Sequence, residues 1–291
     1  MRLAYLGSPA AAVPPLQALL ADGHEVKIVV TQPDRRRGRG ADLVPTPVKA
    51  AALEAGLAVS DRVDDVLEAG VELGVVVAYG RLIKPHVLAQ VPMVNLHFSL
   101  LPRWRGAAPV ERAILAGDTE TGVCLMELEE GLDTGPVYRR EVVPIGAGET
   151  ADELRRRLVD VGTTLLVDAL RDGLGDAEPQ TGEPTYAAKI DAEEMHLDWA
   201  RPAVELHRLV RIGRAWTTFR GRRLRVLWAT LLDAGEPAPA AGVIEGAVVG
   251  TGNGLGLQLV EVQPEGKPPM PAPAWLNGAR PNPGEHLGQR G

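Results

Sequence analysis

Two polar side chains, an amide and an imidazole, stand two positions apart in an otherwise apolar stretch of the chain. Asn95 and His97 lie in the run 93–98, whose other members are Met, Val, Leu and Phe. Because side chains alternate between the two faces of a β-strand, these two residues are expected on the same face. They are either a hydrogen-bonded pair inside the core or part of a functional site, and the spacing alone leaves both interpretations open.

A carboxylate set between two turn-forming glycines favours the functional interpretation. Asp133 is the centre of the sequence Gly-Leu-Asp-Thr-Gly at 131–135, although a lone aspartate in such a place is more often a surface turn residue. An amide and an imidazole can donate hydrogen bonds to a developing oxyanion. A carboxylate can orient the imidazole and help to remove a proton from an attacking nitrogen. No G-x-S-x-G nucleophile motif is present, so the three groups suit direct acyl transfer to an amine.

Composition limits the class of protein. The chain has 291 residues, of which 45% are hydrophobic and 24% charged, so we expect a globular protein of about two domains. Cys124 is the only cysteine, which excludes an internal disulfide and a cysteine-built metal site, and we expect no metal. No apolar run approaches the roughly 18–20 residues of a membrane helix, and the first residues do not resemble a signal peptide. We therefore expect a cytoplasmic protein without a membrane partner.

The first half of the chain alternates between apolar strands and helical segments. Continuous apolar character predicts strands at 3–6, 26–30, 73–78 and 92–97. Helical spacing of apolar residues predicts helices at 13–21 and 48–55 and a longer helix at 151–170. This order predicts a parallel, doubly wound α/β sheet. Such sheets bind ligands beyond the carboxyl ends of their strands, which is where Asn95 and His97 fall.

The second half of the chain is predicted to form a smaller β domain. The segment 173–184 is rich in Gly, Pro and acidic residues, which is typical of a linker. A helix at 203–212 precedes strands at 222–231, 242–249 and 256–262, and short strands at this spacing favour a small barrel. We predict a catalytic domain over 1–180, a linker over 181–202 and a C-terminal domain over 203–291.

Two arginine clusters could bind phosphate. Arg35, Arg36, Arg37 and Arg39 lie in a loop punctuated by glycine, and eight arginines fall within 201–225. A net charge of −7 does not exclude a nucleic-acid partner, because local basic patches bind the backbone. Both clusters could equally be solvated surface in a protein that uses arginine far more than lysine.

The motifs together resemble a known family. The run Asn-Leu-His-Phe-Ser-Leu-Leu-Pro-Arg-Trp-Arg-Gly-Ala-Ala-Pro at 95–109, Ala-Gly-Asp at 116–118 and Gly-Leu-Asp-Thr-Gly at 131–135 are similar to the folate-dependent formyltransferases, in particular those that act on methionyl-tRNA. Thr-Gln-Pro-Asp at 31–34 and Tyr-Ala-Ala-Lys-Ile at 186–190 match the same family. The resemblance covers nearly the whole chain and is densest over 75–135.

The resemblance implies a fold, a reaction and a set of site residues. The fold would be a Rossmann-like formyltransferase domain followed by an OB-like β-barrel. The reaction would move a formyl group from 10-formyltetrahydrofolate to the methionyl amino group of initiator methionyl-tRNA, in translation initiation, and the enzyme would be a monomer. The catalytic residues would be Asn95, His97 and Asp133. The folate-binding residues would be Ser99, Leu100, Leu101, Pro102, Val77, Ala78, Tyr79, Gly80 and Leu82. The tRNA-binding residues would be Arg35, Arg36, Arg37, Arg39, Arg208 and Arg211.

Two alternatives stay open. The family usually carries an Asn-Pro-Trp-Pro-like turn after the interdomain arginines, whereas residues 211–217 read Arg-Ile-Gly-Arg-Ala-Trp-Thr, so that only Trp216 has a counterpart. The chain could therefore formylate a small amine such as an amino-sugar nucleotide. It could also be an RNA-binding module that has kept the scaffold without the chemistry.

Overall fold

Strands and helices alternate along the first part of the chain, and strands dominate its last third. The structure, a computed structural model, describes residues 1–36, 43–233 and 235–289. In chain order the strands are β1 (Arg2–Gly7), β2 (Glu25–Val30), β3 (Arg35–Arg36), β4 (Leu43–Val44), β5 (Val59–Ser60), β6 (Leu73–Val77), β7 (Met93–His97), β8 (Arg105–Gly106), β9 (Glu120–Glu127), β10 (Val137–Pro144), β11 (Tyr186–Ala187), β12 (Trp216–Phe219), β13 (Arg222–Leu231), β14 (Ile244–Glu245), β15 (Val248–Gly250), β16 (Gly256–Pro264) and β17 (Met270–Pro271). The helices are α1 (Val13–Ala21), α2 (Pro47–Glu54), α3 (Pro85–Leu88), α4 (Pro109–Ala116), α5 (Ala151–Asp172), α6 (Ala203–Arg211) and α7 (Ala272–Ala279).

The first unit of the fold is built on a seven-stranded sheet. Its strand order is β10-β9-β7-β6-β1-β2-β5, and the five strands from β7 to β5 run parallel. β9 pairs with β7 in the antiparallel sense, and β10 continues that pairing at the edge. The predicted mostly parallel α/β sheet is confirmed. The two antiparallel strands extend it on the side of β7, which makes β7 an interior strand.

Burial on both faces explains the continuous apolar sequences of the central strands. Every residue of β6 and β7 is buried. One face packs on a cluster that includes Tyr79 and Met93. The other face packs on α5, where Gly162 allows the helix to approach the side chains of Leu96 and Val123. An interior strand sandwiched in this way needs apolar side chains throughout, so polar residues in β7 require a separate reason.

The second unit carries an antiparallel sheet. Its strand order is β12-β13-β16-β15-β14, with β17 beside β16, and each pairing is antiparallel. An antiparallel β domain therefore follows the parallel one, as predicted, while closure into an OB-like barrel stays a prediction. The strand predicted at 242–249 is wrong in detail: a turn at Gly246, with φ of 55°, divides it into β14 and β15.

Contacts within the chain define two compact units. One comprises Met1–Val110, Glu120–Pro144 and Leu154–Ala188, and the other comprises Glu111–Thr119, Ile145–Glu153 and Lys189–Gly291. The domain limits predicted at residues 180 and 202 stay predictions. Among the helices that the structure describes, none combines the length and the apolar composition needed to cross a membrane.

The close approach of α5 to the sheet gives a first testable prediction. A Cβ atom on Gly162 would lie 3.0 Å from both Leu96 Cδ2 and Val123 Cγ1. We expect Gly162→Val to lower the free energy of unfolding by about 1–3 kcal/mol through overpacking. In a thermal melt this corresponds to about 2–4 °C for each kcal/mol.

Gly278 offers a matched control, because it is an exposed helical glycine in α7 whose added Cβ would meet no atom within 4 Å. Gly278→Val should leave the melting temperature nearly unchanged. Equal losses in the two variants would show that Gly162 is not a close-packing position.

Candidate active site

The carboxyl end of β7 presents the amide and the imidazole on one face. Asn95 is 9% exposed and His97 is 6% exposed, and the residue between them, Leu96, faces α5. The prediction that the two polar side chains share a strand face is therefore confirmed. Both lie on the side of the sheet opposite α5, at the edge where parallel strands end and ligands bind.

The imidazole of His97 is fixed by a backbone carbonyl. Its Nε2 lies 2.9 Å from the carbonyl oxygen of Trp104. A carbonyl can only accept, so Nε2 carries the proton in this contact and the ring orientation is set. Nδ1 is consequently the ring nitrogen left for chemistry, and it lies 3.6 Å from Oδ2 of Asp133.

The carboxylate of Asp133 is held against His97 by a second backbone group. The amide of Gly106 donates to Oδ2 of Asp133 over 2.7 Å. The side chain of Asp133 is 12% exposed, so this charge-assisted bond is partly shielded from water. Residue 106 must be glycine for two reasons: its φ is 123°, and a Cβ there would lie 2.9 Å from the carbonyl oxygen of Ala187.

Asn95 differs from its two neighbours because its amide has no internal partner. Its side chain forms no hydrogen bond with any residue in the described part of the chain. The side chain is 9% exposed, and its polar atoms reach solvent instead of being enclosed in the core. The interpretation of Asn95 and His97 as a hydrogen-bonded core pair therefore fails. The amide remains available to donate to an oxygen atom of a substrate.

One polar residue that no sequence pattern marks, Gln180, joins these loops. The side-chain nitrogen of Gln180 donates to the carbonyl oxygens of Asp133 and Gly135, each over 2.8 Å. Its side-chain oxygen accepts from Nε and Nη2 of Arg105, over 3.1 and 2.7 Å. Gln180 falls in the segment 173–184, whose composition predicts a linker. No local pattern marks it, because its partners lie 45 to 75 residues away in sequence.

The segment predicted to line the pterin slot follows β6. Val77 and Tyr79 are buried, and Ala78 and Gly80 adopt positive φ values of 47° and 74°. Burial raises the pKa of the Tyr79 phenol, whose ring packs in the core beneath the turn. Leu82 is 81% exposed, so it stands apart from the buried members of this set. The turn thus leaves Ala78, Gly80 and Leu82 exposed at the end of β6.

The turn after β7, predicted to contact folate, directs its side chains inward. Ser99 is fully buried and donates to the carbonyl of Arg103 over 2.6 Å. Leu101 packs in a buried cluster with Cys124, Met126 and Val137, while Leu100 packs on the backbone at Gly122. The Leu101–Pro102 peptide is cis. Because the side chains of Ser99 and Leu101 are occupied internally, a ligand could meet them only through backbone groups.

The structure describes only some of the arginines that are predicted to bind tRNA. Arg37 and Arg39 lie outside the described residues, and only the backbone of Arg35 and Arg36 is described, in β3. Arg208 is partly buried, with its guanidinium against Gly117.

The tRNA role predicted for Arg211 needs correction. This arginine is 8% exposed and donates to the carbonyls of Glu149 and Gly146 over 2.6 and 2.9 Å. Burial lowers the pKa of its guanidinium. A side chain held in this way secures the loop at 146–149 and is not presented to phosphate.

Trp216, the one residue with a counterpart in the family's usual turn, packs against neighbouring residues. Its indole nitrogen donates to the carbonyl of Ala192 over 2.8 Å, and His196 meets the ring edge to face at 4.6 Å. The guanidinium of Arg223 covers the ring at 4.3 Å. Across the described part of the chain, no group of three or more His, Cys, Asp or Glu side chains is arranged to hold a metal ion.

Two domain families match the chain. Residues 1–170 match the family described as Formyl transferase, and residues 189–280 match Formyl transferase, C-terminal domain. The N-formyltransferase from Helicobacter canadensis, solved in complex with folinic acid and dTDP-3-aminofucose, superposes with a TM-score of 0.69 at 17% identity, over 88% of this chain and 98% of that chain. At this identity the likeness shows a common fold alone.

Relatives that match over nearly the whole chain define the family more narrowly than the domain matches do. The methionyl-tRNA formyltransferase of Dinoroseobacter shibae is 46% identical over an alignment of 297 positions, which covers 96% of this chain and 97% of that protein. The methionyl-tRNA formyltransferase of Streptomyces coelicolor is 45% identical over an alignment of 312 positions, which covers 99% of this chain and 100% of that protein. Identity at this level over nearly the whole chain places it in the formyltransferase family, among the methionyl-tRNA formyltransferases.

Proposed function

We propose that this protein transfers a formyl group from 10-formyltetrahydrofolate to the α-amino group of methionine on an initiator methionyl-tRNA. The observation that carries the proposal is the arrangement of Asn95, His97 and Asp133: an unpaired buried amide beside an imidazole whose reactive nitrogen faces a carboxylate at 3.6 Å. The full-length relatives support the same reaction. Because the acceptor is an aminoacyl-tRNA, we also propose a cytoplasmic enzyme, and we retain the monomer as a proposal.

The chemistry follows from what each group can donate or accept. An α-amino group has a pKa of roughly 7.7–8.0, so part of it is neutral and able to attack the formyl carbon. The new C–N bond forms as the formyl oxygen gains charge, and the amide of Asn95 donates to that oxygen. His97 Nδ1, when protonated, can donate to it as well. The carboxylate of Asp133 stabilises the charged imidazole and helps to remove the proton from the attacking nitrogen. The folate nitrogen leaves with a proton as the tetrahedral intermediate collapses.

We further propose that folate lies along the two turns that follow β6 and β7. Ala78 and Gly80 support this, because both are exposed at the sheet edge in a turn with positive φ values. Gln32 donates to the carbonyl of Tyr79 over 3.0 Å and so holds one of these turns. Polar backbone atoms beside the exposed Leu82 suit a flat heterocycle, which needs hydrogen bonds at its edge and apolar contact on its face.

Removing the charge of Asp133 tests the catalytic assignment. Asp133→Asn keeps an oxygen for the Gly106 amide but removes the carboxylate from His97. We expect kcat to fall by about 10²-fold or more, as for the loss of an acid–base group, and His97→Ala to have an effect of the same order.

Glu130→Gln is a matched control, because it removes an exposed carboxylate three residues earlier in the chain. It should leave formylation unchanged. Near-normal turnover in both Asp133→Asn and His97→Ala would refute the assignment.

Asn95 allows stability and activity to be separated. Because its amide lacks an internal partner, Asn95→Leu removes the donor without breaking a hydrogen bond of the folded chain. We expect kcat to fall by about 10²- to 10³-fold while the free energy of unfolding is unchanged or higher. If Asn95 were a structural core residue, the variant would instead unfold more easily and retain its turnover per folded molecule.

The acceptor is tested directly by formylation assays with 10-formyltetrahydrofolate and either methionyl-tRNA or an amino-sugar nucleotide. We expect product only with methionyl-tRNA. Raising salt from 50 to 200 mM should weaken tRNA binding by at least about tenfold, because phosphate contacts release counterions. Exclusive formylation of the amino-sugar nucleotide would replace the proposed acceptor, and tRNA binding without formylation of either acceptor would identify an idle RNA-binding module.

A further inference from the structure

The position of Asp133 depends on a residue far from it in sequence. Asp133 has a left-handed backbone, with φ of 51°, in a turn bounded by glycines at 131 and 135. Such a conformation costs on the order of 1 kcal/mol for a residue with a Cβ, so the turn needs contacts from outside to keep it. Gln180 supplies two of them, on the carbonyls of Asp133 and Gly135. These bonds hold the peptide groups that follow Asp133 and Gly135.

The amide of Gln180 has only one orientation that satisfies its neighbours. Its nitrogen faces two carbonyl oxygens, which can only accept, and its oxygen faces the guanidinium of Arg105, which can only donate. A glutamate could keep the contact with Arg105 but would place an acceptor against two acceptors. The site therefore requires an amide at residue 180, and no other polar side chain of that length satisfies both sides.

Gln180 also connects the two loops that meet at the carboxylate. Arg105, which donates to its oxygen, directly precedes Gly106, whose amide binds the Asp133 carboxylate over 2.7 Å. The chain is anchored two residues before Gln180, where Glu178 exchanges two backbone hydrogen bonds with Val137, of 2.8 and 2.9 Å. The path from the edge strand through Gln180 to Asp133 is thus continuous.

We infer that Gln180, together with Arg105, is a positioning residue that sets the distance between the Asp133 carboxylate and His97 Nδ1. This inference rests on the proposed formyl transfer. Gln180 does not reach the reacting atoms and acts through Asp133. Misplacing a catalytic group by about 1 Å can cost on the order of 10²-fold in rate, so the loss of Gln180 should lower kcat with little change in KM.

The test uses the full-length protein and two variants of the same length. Gln180→Met removes every hydrogen bond of the amide without adding charge, and Gln180→Glu retains only the contact with Arg105. We expect both to lower kcat by about 10- to 10²-fold, with KM for both substrates changed by no more than about twofold. Gln90→Met is the control, since Gln90 is exposed and also donates to a backbone carbonyl, that of His86. A rise in KM alone, or full activity in both Gln180 variants, would overturn the inference.

A double variant distinguishes positioning from general stabilisation. In an Asp133→Asn background there is no carboxylate left to place, so adding Gln180→Met should lower kcat no further. If the two effects on kcat multiply, Gln180 acts on something other than Asp133 and the inference is wrong.

A spectroscopic readout separates this inference from the proposed function. In the folate-free protein, the imidazole ¹⁵N resonances of His97 should move in the same direction in Asp133→Asn and in Gln180→Met, and should not move in Gln90→Met. Unchanged resonances in Gln180→Met would refute the positioning role. Shifted resonances with full formylation activity in Asp133→Asn would leave Gln180 as the positioning residue and refute the catalytic role proposed for Asp133.

Discussion

The hydrogen bond from the Gly106 amide to the Asp133 carboxylate is, among the described residues, the one direct contact of that carboxylate with the backbone, and it fixes the end of the side chain that faces His97. A hydrogen bond to a charged group contributes about 1.5–3 kcal/mol, which is of the same order as the cost of the left-handed backbone of Asp133. Together with the two bonds from Gln180, it keeps the loop in this conformation with the carboxylate 3.6 Å from His97. The donor is the backbone amide of a residue that packs closely on the carbonyl of Ala187. Glycine at position 106 therefore cannot be replaced by a residue with a side chain without moving this donor.

The three catalytic groups illustrate two ways in which a fold prepares polar atoms for chemistry. His97 and Asp133 are each tied to a backbone group, which leaves one defined atom of each to act. Asn95 is instead left without an internal partner at the solvent-accessible end of an interior strand. This arrangement suits catalysis, because a donor already satisfied by the protein could not bind the developing oxyanion.

The parts of the fold that follow from a periodic pattern of side chains could be predicted from the sequence. The alternation of β7 predicted that Asn95 and His97 share a face, and the continuous apolar runs predicted the parallel strands. β10 was missed because an edge strand carries charged residues such as Arg139 and Arg140, which hide its pattern. The structural role of Arg211 could not be predicted either, since nothing in a basic sequence distinguishes an arginine that binds phosphate from one that binds buried carbonyls.

The backbone pairing of Glu178 with Val137, and of β11 with β8, bears on how the site is completed during synthesis. All seven strands of the large sheet precede residue 145, so a chain that ended at residue 170, where the first family match ends, would contain the entire sheet. Such a fragment would lack the residues between 178 and 187 whose backbone pairs with residues 105–108 and with Val137. The emerging polypeptide must therefore extend almost twenty residues beyond the first family match before this site can close.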